Sequence, residues 1–528
     1  MPFHSFRHRT QWTAICLGAL AALLMIVARP ACADRPPLDE RRRQVQVEKY
    51  ERQQEKFAKS LAGIADYCDQ HGYPKQATAI RELARPLPPD DLRALQLPTK
   101  MQPEIADDLP PAERQWRVEL RHALQDQATQ LYLIGQRALD IGDVRFAYQM
   151  MYEAVRFDPD CKPARNFLGY ERSDDEWVTP FESRMRKSRY VNTEKFGWLP
   201  RDYVDRYEKG ERYFKPGRGA GGRWVSAAQE AELRRDFNNA WVIRTEHYVV
   251  KTNHSLERGV ELSRQLEEFY DVFFQTFSGF LTTQDQRASL ARGRRRSTNN
   301  QFEVHYFRDK EDYAARLRTR IPEIDMTTGL YLSDTGIAYF YHHPEMDEDP
   351  DGPATRTIFH EATHQLFSET RRSRRTPQIV GQHAHFWIIE GIACYMESFA
   401  KAGDRYELGD PLYQRFRAAR YRYLDDSYYI PLATFAEMGA DEIQHAPEIR
   451  KLYSQASGLA HFFMHYGNGK YRDALIEHLS QLYSNNRNVR ENPDSLPELI
   501  GTNYKQLDEQ YGEYMRSEQD KLTVQTSE

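Results

Sequence analysis

Between residues 34 and 165, apolar side chains recur every three or four positions among charged ones, the spacing of helices with one buried face. Proline-rich breaks at residues 86–89 and 110–111 divide the pattern. Residues 166–235 lose the period and become aromatic, glycine-bearing and irregular. Beyond them, residues 241–251 are β-like and residues 255–277 helical, Phe302–Phe307 alternates as a strand does, and residues 309–318 return to helical spacing. Gly329–Leu332 and Ile337–Tyr341 flank Ser333-Asp334-Thr335-Gly336, which predicts a β-hairpin. Two apolar helical runs follow, over residues 358–367 and from residue 386. The pattern predicts an α+β chain. Its expected parts are a helical region over 34–165, an aromatic connector over 166–235, a small sheet with paired helices over 236–401, a helical subdomain over 402–514 and a polar tail over 515–528.

Within the first region, Leu131, Ile134, Gly135, Ala138, Ala147, Met151, Ala154 and Pro159 fall where a tetratricopeptide repeat of about 34 residues places its large, small and terminating residues. Gly142-Asp143 supplies the turn between two close helices. A second helical hairpin is expected over residues 50–83, broken at Gly72-Tyr73-Pro74. Two such units are fewer than the three or so that stand alone. A cap packed on the main domain and a groove that engages a protein partner are both open. In the connector, Trp177-Val178-Thr179 and Trp224-Val225-Ser226 repeat a short pattern, each ahead of a charged helical stretch, and read as small strands or packing anchors.

Composition adds a location and an exclusion. Residues 1–33 contain Arg7 and Arg9, an apolar stretch over 13–27 and Ala31-Cys32-Ala33 before Asp34, the parts of a secretory signal peptide. The stretch is shorter than the ~20 residues that cross a bilayer, and Arg29 stands where a lipoprotein signal wants an aliphatic residue. No other segment approaches membrane-spanning length, so the expected location is extracytoplasmic, periplasmic or secreted. Cleavage would remove three arginines and no acid, turning 73 basic and 78 acidic side chains into 70 and 78, a net of −8. That balance argues against a nucleic-acid partner. Three cysteines would remain, too few for a disulfide framework: Cys394 lies in an apolar helical run, and a Cys68–Cys161 bridge is left open.

The chemistry lies in residues 358–367, Ile-Phe-His-Glu-Ala-Thr-His-Gln-Leu-Phe. On a helix, His360 and His364 share one face one turn apart, as two corners of a zinc site require. Glu361 projects beside them, able to reach water on a metal without ligating it. Two imidazoles hold zinc weakly, so a third ligand is needed, and Glu390 at the start of the next helix supplies it. Gly391 and Ala393 allow that helix to approach. His383 and His385 are the competing third ligands. The arginines at 292, 294–296 and at 371, 372, 374 and 375 read as solvated loops.

His-Glu-x-x-His followed by Trp387-x-x-Glu390-Gly-x-Ala-x-Tyr395 resembles the gluzincin metallopeptidases, more closely the peptidase-MA-like branch than thermolysin. The resemblance covers residues 241–514, about half the chain. It implies zinc held by His360, His364 and Glu390, with Glu361 as general base in hydrolysis of a peptide or protein substrate by metal-activated water. The family's oxyanion-stabilising tyrosine matches Tyr453, with His461 second. The family also binds substrate along the strand before the metal helix, which points to Ile337–Tyr341 as the sheet edge. Thermolysin's Asp four residues beyond the ligand Glu orients a metal-bound His; Cys394 stands there, and Glu397 and Glu369 are the nearest carboxylates for that role. The whole arrangement looks like an uncharacterised family of secreted bacterial proteins. The alternative function is an extracytoplasmic peptide- or protein-binding module on an inactive gluzincin scaffold.

Overall fold

A computed structural model describes residues 38–85, 97–216, 221–292, 301–349, 352–371, 380–402 and 405–525. The expected signal peptide, most of both arginine runs and the first proline-rich break lie outside the described residues. Helix makes up 62% and strand 11% of the described residues, a mixed α and β architecture with the strands confined to short segments between helical regions.

Helices α1 (Leu38–Gln70) and α2 (Pro74–Leu83) form one hairpin, and α3 (Pro111–Ile141) and α4 (Val144–Phe157) a second. Gly142 ends α3 with φ 92°, a left-handed value that glycine adopts without a Cβ clash, and the Asp143 side chain caps α4 by accepting from Phe146 N–H. A Cβ on Gly135 would lie 2.9 Å from the Met151 methyl, so the small residue sets the approach of the two helices. Both hairpins join the core of the rest of the chain. Tyr148 of α4 meets Phe274 edge-on at 4.8 Å. Cys68 and Cys161 are free, buried thiols, so no bridge links the hairpins; the apolar contacts hold them.

The connector is built of three hairpins, Glu171–Ser173 with Glu176–Val178, Tyr190–Thr193 with Gly197–Pro200, and Glu211–Phe214 with Arg223–Ser226. A short helix follows each. Thr179 and Ser226 close capping boxes on these helices, which explains the hydroxyl after each Trp-Val.

The main sheet contains β1 (Trp241–Arg244), β2 (Tyr248–Thr252), β3 (Phe302–Phe307), β4 (Gly329–Leu332) and β5 (Ile337–Tyr341), in the order β4-β5-β3-β2-β1. The β5/β3 and β3/β2 pairs are parallel and the outer pairs antiparallel. The β-like residues 241–251 form the hairpin of β1 and β2. One expectation changes here. Ile337–Tyr341 is interior, paired on both sides, and the edge beside the helix that carries His360 and His364 is β4. Ala338 to Tyr341 are all buried, as a strand covered on both faces must be.

Helix α5 (Leu256–Leu281) packs across the sheet. Its Phe273, Phe277 and Phe280 surround Phe367 of α6 (Pro353–Thr370) at 4.8–5.0 Å between ring centres, and Phe269 stacks on Phe359 of the same helix. Helix α7 (Phe386–Met396) is buried along its whole length. Against it pack α8 (Gln414–Leu424) and α9 (Ile449–Gly469), with α10 (Arg472–Leu482) on α5 and α9 and α11 (Tyr504–Gln525) on α8 and α9. Residues 515–525 continue α11 instead of forming a tail, because Met515 is fully buried in the core.

Candidate metal centre

Apolar residues Ile358, Phe359, Ala362 and Leu366 bury one side of α6. Gln365 Nε2 then pins the helix to the sheet, donating to the carbonyls of Glu303 at 2.8 Å and Gly336 at 2.9 Å. The face that remains carries His360, Glu361 and His364. Helix α7 brings Glu390 against it, and Gly391 makes the approach of α9 possible, since any Cβ there would collide with the Ala456 carbonyl.

The donor atoms converge. His360 Nε2 lies 3.2 Å from His364 Nε2 and 3.3 Å from Glu390 Oε2, and His364 Nε2 lies 3.7 Å from Glu390 Oε1. Zinc ligands at 2.0–2.1 Å on a tetrahedron are separated by about 3.3–3.4 Å along its edges. The three side chains therefore stand close to the spacing that one small cation imposes. Burial would raise the Glu390 carboxyl, yet His364 and His360 hold it far below the usual carboxylate range. A buried carboxylate kept charged against two imidazoles is a site built around positive charge.

Among the described residues a second group could hold an ion, His360 with Cys394 and Glu397. Its carboxylate is already engaged: Glu397 accepts from His360 Nδ1 at 2.8 Å, from Arg415 Nε at 2.9 Å and from the Tyr413 hydroxyl at 2.7 Å. A guanidinium in place disfavours a second cation. With Nδ1–H given to Glu397, His360 presents a bare Nε2 to the first group, which is the tautomer that ligation needs. Of the two nearest carboxylates it is Glu397 that bonds His360, while Glu369 is engaged elsewhere, accepting from the Tyr331 hydroxyl at 2.7 Å. Burial pushes the Cys394 thiol up, in keeping with a packing role beside His360.

His383 is exposed, and His385 begins α7 with its ring 4.9 Å from that of His478; neither joins the convergent group. Glu361 sits beside the ligands with Oε2 accepting from Tyr331 N–H on the edge strand at 2.9 Å. Tyr453 projects from α9 within the field of Glu390, Cys394 and His360, with Gln444 as hydrogen-bond partner. Burial first, and then Glu390, push its hydroxyl well above the ordinary tyrosine value, so it remains a donor. His461 is placed for packing: Nε2 meets the Gly409 carbonyl at 2.9 Å, Nδ1 meets the Tyr514 hydroxyl at 2.7 Å, and the ring stacks on Phe416. Sequence reasoning missed Tyr331, Gln365, Tyr413 and Arg415. The last two come from another subdomain, where no spacing marks them.

No known family profile matches the chain, and no curated protein sequence aligns with it.

Proposed function

We propose that the chain is an extracytoplasmic zinc-dependent peptidase of gluzincin type. The observation that carries the reading is the convergence of His360, His364 and Glu390 at ligand spacing with an unligated carboxylate, Glu361, beside them. The sheet with β4 at its edge, followed by two metal-bearing helices, supports the gluzincin arrangement. The α3–α4 hairpin supports one tetratricopeptide-like unit, serving as a cap on α5.

Zinc held by these three residues supplies Lewis acidity and lowers the pKa of water. The remaining steps belong to the chain. Edge strand β4 aligns an extended peptide by backbone pairing, Tyr331 N–H passing from Glu361 to a peptide carbonyl as Glu361 turns to the attacking water. Glu361 takes a proton from the attacking water and returns it to the leaving amine, and Tyr453 donates to the oxygen on which negative charge develops. The buried, apolar setting of α7 limits competing water around these groups. One zinc per purified chain, together with hydrolysis of a broad peptide library that Glu361→Gln abolishes, is the expected result. A chain that takes up no zinc, or that binds it and cleaves no peptide, defeats the proposal.

A further inference from the structure

Glu397 has every acceptor position filled. Oε1 accepts from His360 Nδ1 at 2.8 Å and from Arg415 Nη2 at 3.0 Å; Oε2 accepts from Arg415 Nε at 2.9 Å and from the Tyr413 hydroxyl at 2.7 Å. Its side chain is 5% exposed, so these four donors stand in for water. The backbone beneath is held as well. Arg356, on the metal helix α6, donates to the carbonyls of Glu397 and Phe399, and its guanidinium lies over the Tyr413 ring at 4.9 Å.

The origin of these groups matters. His360 and Arg356 belong to α6, and Glu397 caps the end of α7, whereas Tyr413 and Arg415 open α8, beyond the ribbon formed by Ala400–Ala402 and Arg405–Glu407. Helix α8 packs in turn on α9, which carries Tyr453.

We propose that Arg415, with Tyr413, is a positioning residue for the metal ligand His360, acting through Glu397, and that it couples zinc affinity to the seating of α8. The inference rests on the zinc reading of the site. An imidazole ring aims Nε2 at an ion only while its Nδ1–H has a fixed acceptor. A carboxylate in a buried pocket can rotate or shift unless both oxygens are held. A guanidinium holds both in one plane through two parallel bonds, which an ammonium cannot do. Arg415 has a second effect. By occupying Glu397 it keeps that carboxylate from turning into the ligand set or recruiting an ion beside Cys394, so one of the two possible ion groups is selected.

The test is zinc affinity, measured on the full mature chain by competition with a zinc chelator, alongside the melting temperature of the metal-free protein. Arg415→Met should weaken zinc binding about 10- to 100-fold, the range for outer-shell partners of a metal-bound histidine. Arg415→Lys should recover little of this loss, and Tyr413→Phe should cost less than Arg415→Met. The decisive variant is the double substitution Arg415→Met with Glu397→Gln. If Arg415 acts through Glu397, the double variant binds zinc within about twofold of Glu397→Gln alone. Losses that multiply in the double variant, or parent affinity in Arg415→Met, overturn the inference while leaving the zinc site standing. A parent chain that binds no zinc overturns the reading of the site, and the inference with it. Should Arg415→Met fail to fold, Arg415→Lys and Tyr413→Phe decide the matter, and parent affinity in both counts against the proposal.

Discussion

Two regions of the molecule each bury a glutamate in a helical pair, and they treat it in opposite ways. Glu153 on α4 is 4% exposed and Glu390 on α7 is 7% exposed. Glu153 accepts from the Tyr50 hydroxyl at 3.1 Å and from Gln149 at 3.1 Å, and burial pushes its carboxyl up although Arg156 lies near enough to oppose the shift. Glu390 faces two imidazoles, and its carboxyl is held far down despite the same burial. Helix packing tolerates the first acid by favouring its neutral form. The second stays charged between two imidazoles. Burial alone does not separate the two acids; the convergence of two imidazoles on one carboxylate does.

That contrast can be broken most directly at Glu390. Glu390→Ala should lose zinc to mild chelation, with an affinity drop beyond the ~10–100-fold of an outer-shell change. Full retention of zinc would return the ligand role to His383 or His385. Glu361 offers a third acid, half-buried on the ligand helix. Glu361→Gln should keep its zinc and lose hydrolysis by about 10²- to 10⁴-fold, so zinc loss or unchanged turnover in that variant removes the base assignment. Tyr453→Phe sharpens the same region. It deletes one hydroxyl at nearly constant volume, and kcat should fall roughly a hundredfold with little change in KM if that hydroxyl stabilises the oxyanion. Near-normal turnover would make Tyr453 a packing residue.

The smallest effect is expected at Glu153. Its folded carboxyl lies above the ordinary 4.5, so protonation favours the folded hairpin; that contribution is complete below pH 4.5 and is lost as pH rises through the folded value. Glu153→Gln fixes the neutral form. The variant should melt higher than the parent at pH 7, where the parent must ionise a buried carboxyl, and should show no gain near pH 4. A variant less stable at pH 7 would mean that the buried carboxylate is itself a stabilising charge.

Local pattern carried much of this architecture. Phe302–Phe307 and the hairpin of Gly329–Leu332 with Ile337–Tyr341 have the bounds their alternation and turn predict. The break at Gly72-Tyr73-Pro74 and the turn at Gly142-Asp143 stand where glycine and a capping acid placed them. His360, His364 and Glu390 were nameable because helix geometry alone sets two of them side by side. What escaped is non-local. Strand order depends on parallel pairing between distant segments, so the edge was assigned to β5 when β4 occupies it. The turn between β1 and β2 contains no glycine or proline and hid a hairpin. The middle connector hairpin ends in Trp198-Leu199-Pro200, where proline replaces the hydroxyl that marked the other two. Arg415 reaches Glu397 only through tertiary folding.

The bond from Tyr331 N–H to Glu361 has a bearing on solubility. In an antiparallel pair, backbone groups alternate between facing the neighbouring strand and facing outward. Tyr331 N–H turns outward from β4, on a strand of only four residues, and Glu361 caps it. An open edge would otherwise template the backbone of another copy, the usual route to strand-to-strand association. Here the acid on the metal helix takes the place that a neighbouring molecule's carbonyl would fill.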